Sequence, residues 1–282
     1  MSATTTIITG ATSGIGKETA LALAHKGHAL YLLVRDVVKG DELVRQLKQE
    51  TGNKEIYCVK CDLSDLHSVY TAAEKLKSRL LSINVLINNA GGMFPMRELS
   101  KDGFELTFAT NHLGHFALTM QLMPLLKKGQ ARIINVSSEA HKLGKPDFSD
   151  INSEKSYTPM KVYGTAKLYN IYFTKSLAEK YGDKGITAFA VHPGLVKTSF
   201  GAGTGGISGF LLSLARPFMI TPEKGAQTTI YLATQAGLHT KSGMYFKKEK
   251  PASTSGVAND AAAREKLWQI SETILEAHPE GV

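Results

Sequence analysis

The sequence predicts an α/β fold: a doubly wound, mostly parallel sheet with helices on both faces, built as a single domain. Three observations carry this. Short apolar, β-branched runs alternate with helical patterns along the 282 residues, with no repeat, low-complexity tract or linker between them. A glycine-rich turn joins the first strand to the first helix. Gly10–Gly16, Arg35, Asp62, Asn88–Gly91, Ser138 and Pro193-Gly194 each follow a strand end, and open α/β sheets bind their ligands at the carboxyl ends of their strands.

The elements follow in order. Residues 4–9 form the first strand. Thr9-Gly10-Ala11-Thr12-Ser13-Gly14-Ile15-Gly16-Lys17 is the turn. A helix over 18–26 follows, and Gly27 stops it. Strand–turn–helix of this kind is a phosphate-binding device. Glycines let the backbone approach a pyrophosphate, and the helix N-terminus offers free N–H groups and partial positive charge. Residues 29–34 are the second strand, whose end faces the adenosine ribose in dinucleotide folds. An acidic residue there selects NAD, whereas an arginine accommodates the 2′-phosphate of NADP. Arg35 takes that position and Asp36 lies one step past it, which favours NADP(H) over NAD(H).

A helix over 37–50 ends at Gly52. The third strand, 55–61, runs into Asp62-Leu63-Ser64, and a helix covers 66–81. The fourth strand, 85–87, ends in Asn88-Asn89-Ala90-Gly91. A helix over 103–127 contains Asn111-His112-Leu113-Gly114-His115. The fifth strand, 131–136, ends in Ser137-Ser138. A polar loop with Pro146 and Pro159 leads to a helix that ends near Tyr181-Gly182. The sixth strand, 186–191, ends in His192-Pro193-Gly194. Thr221 caps a helix to about 235 with Pro222 in its first turn. A short strand over 243–246 and a helix over 258–277 complete the chain.

Composition is ordinary for a globular protein, with a formal net charge of +8. That balance suits contact with nucleic acid or a membrane and equally an anionic small molecule, so it does not discriminate. No basic cluster carries interleaved aromatics, which argues against nucleic acid. Lys247-Lys248-Glu249-Lys250 reads as a solvated turn. No signal peptide or membrane-length apolar run is visible, so a cytoplasmic protein is expected. Residues 207–220 are apolar but interrupted, and read as a short cover over the substrate, with peripheral membrane contact as a second use. Cys58 and Cys61 lie three apart in a strand and so face opposite ways, which suits unrelated thiols in a reducing compartment. His112 and His115 lack a third ligand at suitable spacing and read as packing positions rather than metal ligands. The sequon at Asn135 falls in a buried strand and is discounted. His141 is expected to line the substrate mouth, and Met93, Phe94, Met96 and the 200–218 region read equally as an apolar pocket or as ordinary core.

Tyr163 and Lys167 stand four apart, on one helix face. A free tyrosine deprotonates near pH ~10. A nearby cation favours the phenolate, which makes the pair fit for general acid–base work near neutrality. Many surface helices carry such a pair, so the spacing takes its weight from the motifs upstream.

Taken together these residues resemble the short-chain dehydrogenase/reductase family over roughly residues 4–242. The pattern T-G-x-x-x-G-x-G is Thr9–Gly16, N-N-A-G is Asn88–Gly91, Y-x-x-x-K is Tyr163–Lys167, and P-G is Pro193-Gly194. The text around Asn111, Ser138 and His192 looks most like the retinol dehydrogenase-like branch, which generally prefers NADP(H). The resemblance implies a Rossmann-type domain, with a cofactor-binding half over about 1–130 and a catalytic and substrate-binding half over about 131–282. It implies that Tyr163 is the general acid or base, that Ser138 (rather than Ser137) hydrogen-bonds the substrate oxygen, and that Lys167 binds the nicotinamide ribose and lowers the Tyr163 pKa. Asn111 would hold a water linked to Lys167. Gly10, Ser13, Gly14, Ile15 and Gly16 would meet the phosphates, and Asp62 and Leu63 the adenine. Asn89, Ala90 and Gly91 would meet the adenosine and ribose, and Pro193, Gly194, Val196 and Thr198 the nicotinamide.

The expected activity is hydride transfer between NADP(H) and the alcohol/carbonyl pair of a lipophilic small molecule such as retinal, an aldehyde or a ketone. The alternative is a non-catalytic NADP(H)-binding regulator or scaffold, which has no reason to keep Asn111, Ser138, Tyr163 and Lys167 together. Epimerases and dehydratases of this kind usually need more chain after Gly194. Helices like those of Asn111 and Tyr163 form a dimer face in many relatives and not in others, so monomer and homodimer both stay open.

Overall fold

The computed structural model describes residues 3–196 and 219–279. Eight strands among them form one sheet of order β3-β2-β1-β4-β5-β6-β7-β8. They are β1 (Thr5–Thr9), β2 (Ala29–Val34), β3 (Ile56–Lys60), β4 (Val85–Asn88), β5 (Arg132–Val136), β6 (Thr187–His192), β7 (Tyr245–Lys247) and β8 (Lys250–Pro251). All neighbouring pairs are parallel except β7–β8. The order reverses at β1, with β4 added on its other side, so a crevice opens over the carboxyl ends of β1 and β4.

Consecutive strand residues enter different cores. Ile7, Leu86 and Ile133 join one cluster, while Ile8, Ile87 and Ile134 join the other. The helices divide the same way. α1 (Gly14–His25) and α2 (Val37–Thr51) supply Leu23 and Leu43 to one face. α3 (Leu66–Lys77) supplies Val69 to the opposite face. α4 (Leu106–Phe108) continues through a π-helical turn, Ala109–Leu113, into α5 (Gly114–Lys128). α5 and α6 (Pro159–Tyr181) carry Phe116 and Phe173 into the α3 face. α7 (Pro222–Thr234) adds Leu232 to the α1 face, and α8 (Ala261–Ala277) lays Trp268 on Phe116 at 5.0 Å between ring centroids. The face of α5 and α6 is therefore covered by the chain's own α8.

The structure shifts several expected bounds. α1 begins at Gly14, inside the glycine turn, because Gly14–Gly16 are already helical; their low helix propensity hid the start. The helix expected from residue 103 begins at Leu106, since Gly103 adopts φ +82° and the Glu105 carboxylate caps the amides of Thr107 and Phe108 at 2.8 and 2.7 Å. α3 stops at Lys77 although the apolar pattern runs on to Leu81, which is 89 % exposed. α8 starts at Ala261, where the Asp260 carboxylate accepts the Ala263 amide. Pro159 is the first residue of α6 rather than part of the loop, as suits proline at a first turn. The Lys248-Glu249 turn has φ +51° and +61° and returns the chain as β8, a strand the sequence did not announce.

Candidate active site

The glycine turn packs against the end of β4. Gly10 has φ +67°, and a Cβ on it would stand 2.8 Å from Ala90 Cα. A Cβ on Gly16 would overlap the Gly10 carbonyl. Only glycine fits either place. Asn89 Nδ2 donates to the carbonyls of Thr9 (2.9 Å) and Gly10 (3.2 Å). Thr9 Oγ1 accepts the amides of Asn89 and Ala90, both at 3.0 Å. β1 and β4 thus end in one rigid cradle.

A cavity of about 440 Å³ lies over it, lined by Gly10, Ser13, Gly14, Ile15, Gly16, Arg35, Asp62, Leu63, Asn89, Ala90 and Gly91. Eleven expected cofactor contacts therefore gather in one place. Thr12, Gly92, Met93, Phe94 and Thr110 line it too and were not singled out from the sequence, apart from Met93 and Phe94 as apolar candidates. Thr110 sits in the π turn, whose extra residue per turn no helical periodicity would reveal. Met96 is 67 % exposed and does not line the cavity.

Arg35 is exposed on the rim, whereas Asp36 caps α2 by accepting the Lys39 amide at 3.2 Å. Asp62 Oδ1 accepts from the Ser64 amide and hydroxyl, so its carboxylate is committed to its own turn. A smaller hollow of about 160 Å³ opens near the start of α6, lined by Lys145, Asp147, Asp150 and Lys161, and holds none of the catalytic candidates.

Two of the four catalytic candidates, Asn111 and Lys167, adjoin the cradle at Gly91, and Tyr163 and Ser138 follow from Lys167 in turn. A Cβ on Gly91 would overlap Asn111 Oδ1 and stand 3.1 Å from Lys167 Nζ. Asn111 lies in the π turn and donates through Nδ2 to Gly92 O (2.8 Å) and Thr107 O (2.9 Å). Its Oδ1 is buried and has no partner, the mark of an acceptor meant for something small. Lys167 is buried, donates from Nζ to Val136 O at 3.1 Å, and lies 5.5 Å from the Tyr163 ring centroid.

The two serines part at the end of β5. Ser137 Oγ donates to Lys167 O at 2.7 Å, a structural bond. Ser138 hydrogen-bonds the Tyr163 phenol. Burial lowers the Lys167 pKa to about 7. Burial also raises the Tyr163 phenol, with the Ser138 bond pulling the other way. Burial thus moves the Tyr163 phenol opposite to the lowering expected from Lys167, whose ammonium is turned toward Val136 O.

Gly194 has φ +97°, and Val196 bridges to Ile220 beside Ile15 and Gly225. That sets Val196 beside Ile15 of the glycine turn, while Gly194 packs on Ile220, and neither they nor Pro193 line the cavity. Thr198 and residues 200–218 lie outside the described residues. His141 does not line a substrate mouth: it is fully buried, with both ring nitrogens bonded to backbone.

The histidines of the Asn111 segment are internal struts. His115 Nδ1 donates to Asn111 O, and Thr9 Oγ1 stands 2.9 Å from its Nε2. His112 Nε2 meets Ser271 Oγ at 3.0 Å. Among the described residues no group of three or more potential ligands could hold a metal. Cys58 and Cys61 pack into opposite cores, and burial raises their thiols to about 11 and about 12. No helix among the described residues is long and apolar enough to cross a membrane.

The short chain dehydrogenase family model matches residues 4–206. Human retinol dehydrogenase 12 is 40% identical over 270 residues, covering 95% of this chain and 85% of that protein. Mouse retinol dehydrogenase 11 is 39% identical with the same coverage. The crystal structure of an uncharacterized protein from Mycobacterium paratuberculosis superposes with a TM-score of 0.78 at 32% identity, over 96% of this chain and 92% of that one. The chain belongs to the short-chain dehydrogenase/reductase family of oxidoreductases, in its retinol dehydrogenase-like branch.

Proposed function

We propose that this protein is an NADP(H)-dependent oxidoreductase acting on the alcohol/carbonyl pair of a lipophilic small molecule. The observation that carries the reading is a chain of neighbours: Asn111 and Lys167 stand against Gly91 of the glycine-lined cavity, the Tyr163 ring is 5.5 Å from Lys167 Nζ, and Ser138 hydrogen-bonds the Tyr163 phenol. The cavity fits a dinucleotide. Its glycines leave backbone exposed at the start of a twelve-residue helix, where N–H groups and the helix dipole favour phosphate. Arg35 stands on the rim where a 2′-phosphate would be read, and Asp36 is occupied as a helix cap. NAD(H) remains the alternative cofactor.

When bound, the nicotinamide supplies or takes up the hydride. The chain does the rest. Ser138 Oγ–H donates to the substrate oxygen. The Tyr163 hydroxyl gives that oxygen a proton in reduction and takes one in oxidation. Lys167 holds the ribose hydroxyls, and its charge when protonated favours the phenolate. Asn111 Oδ1 accepts from a water that passes protons toward Lys167. The cradle aligns the reactants, which removes much of the barrier by itself. In this reading residues up to about 130 bind cofactor and the remainder supplies the chemistry and the substrate pocket.

Met93 and Phe94 on the cavity wall and the retinol named in its relatives support an apolar substrate. The buried thiols suit a reducing, cytoplasmic setting. The test is consumption of NADPH, then NADH, against retinaldehyde, medium-chain aldehydes, an aromatic ketone and a steroid ketone. Turnover of an apolar carbonyl with NADPH is the expected result. Preference for small hydrophilic aldehydes would remove the lipophilic assignment. Tight NADPH binding with no turnover of any carbonyl would favour a binding protein.

A further inference from the structure

Ser138 is held by parts of the chain far from it in sequence. Its carbonyl accepts from the His141 amide at 3.0 Å and from His141 Nδ1 at 2.6 Å. A carbonyl only accepts, so Nδ1 carries the ring proton and Nε2 is the acceptor. Nε2 receives the Ser255 amide at 3.2 Å. The ring is fully buried and stands edge-on to Tyr245, 5.1 Å between centroids.

Glu139 makes a second tie to the same region. Its carboxylate accepts from the Tyr245 hydroxyl (3.0 Å) and Lys142 Nζ (2.7 Å), and lies 3.7 Å from Lys247 Nζ. Its amide donates to His192 Nδ1 at 3.3 Å. Ser138 Oγ in turn accepts the Ala140 amide at 3.2 Å, which limits where its hydroxyl hydrogen can point. Two of the anchors of this frame, Tyr245 and Ser255, lie beyond the residues the family model matches.

We propose that His141 is a positioning residue for Ser138, and that the segment 245–255 completes the active site by fixing which ring nitrogen of His141 bears the proton. This rests on the oxidoreductase reading above. An imidazole bonded at both nitrogens can neither rotate nor switch tautomer, so the turn after β5 keeps one geometry. Were the ring only a packing brace, loss of either bond would matter equally.

Asparagine and glutamine separate the two roles. In His141→Asn the amide nitrogen reaches the place of Nδ1 and keeps the bond to Ser138 O. In His141→Gln the amide carbonyl reaches toward Ser255 N and the bond to Ser138 is lost. Ser255→Pro removes the N–H that reaches His141 at a φ of −63° that already suits proline, and Ser255→Ala, which removes only the buried hydroxyl, is its control.

The experiment measures kcat, KM, nicotinamide affinity by fluorescence, and melting temperature for wild type and all four variants on one accepted carbonyl. His141→Gln should lose on the order of 10²-fold in kcat, the scale of a small misplacement of a reacting group, with cofactor affinity within about threefold. His141→Asn should recover all but about fivefold of that loss, and Ser255→Pro should lose about tenfold. Equal activity of wild type and His141→Gln overturns the proposal. So does an equal fall in the Asn and Gln variants that tracks their melting temperatures. If wild type itself turns over no carbonyl with either nicotinamide, the oxidoreductase reading fails and this inference fails with it.

Discussion

The Lys167 ammonium lies 5.5 Å from the centroid of the Tyr163 ring and gives its hydrogen bond to Val136 O instead. The pair shares one helix face and one desolvated setting. Burial disfavours charge on both, raising the phenol and lowering the amine to about 7. The phenol is therefore a proton donor at rest, and Lys167 can exchange its charge near neutral pH.

Tyr163→Phe should reduce turnover by about 10²–10⁴-fold, the usual worth of a positioned acid or base. Cofactor affinity, read by nicotinamide fluorescence, should hardly change. Turnover that survives the substitution would sink Tyr163 as the acid.

Gly91→Ala should be far more damaging than its size suggests. The new methyl would overlap Asn111 Oδ1 and crowd Lys167 Nζ. A displacement of this kind costs on the order of 10²-fold in kcat. The fold should survive, so circular dichroism unchanged beside lost turnover is the expected pair of results. Full activity would mean that the Asn111–Lys167 arrangement does not matter.

Arg35→Asp should move cofactor preference toward NADH. A charge-assisted bond to a phosphate contributes about 1.5–3 kcal/mol, so the ratio of the two kcat/KM values should shift by roughly 10–100-fold. An unchanged ratio would place the 2′-phosphate elsewhere.

Acid should destabilise the protein before its carboxylates titrate. Burial holds His112 at about 3 and His115 and His192 at about 4, against an ordinary 6.5. Between those values the unfolded chain binds more protons than the folded one, so stability falls with falling pH. Stability present above about 6.5 should drain away down to about 4. Thermal melts across that range should show it. His112→Leu should flatten the slope, whatever it does to the melting temperature at neutral pH, and an identical slope would exclude His112 as a contributor.

Much of this was readable in the chain. Gly10, Asn89 and Ser138 follow strands whose β-branched runs are plain, and the fold class fixes what strand ends do. The parts that escaped depend on contacts between distant segments. The π turn at Asn111 adds a residue that no 3.6-residue pattern contains. His141 looked like a mouth residue because it follows Ser138; only the fold brings Ser255 to its far nitrogen. The depressed Lys167 and raised Tyr163 follow from how deeply α6 is packed, which four-residue spacing cannot express. β8 was missed because Lys248-Glu249 is not the Asn-Gly or Asp-Gly pair that favours such a turn.

The contact of Trp268 with Phe116 and Phe173 has a meaning for synthesis on the ribosome. Asn111, Ser138, Tyr163 and Lys167 are all made before α8 emerges. Until it does, α5 and α6 carry an uncovered aromatic surface toward water. Chains halted between residues 181 and 261 should therefore be captured by chaperones or cleared by proteases, even though each holds all four of those residues.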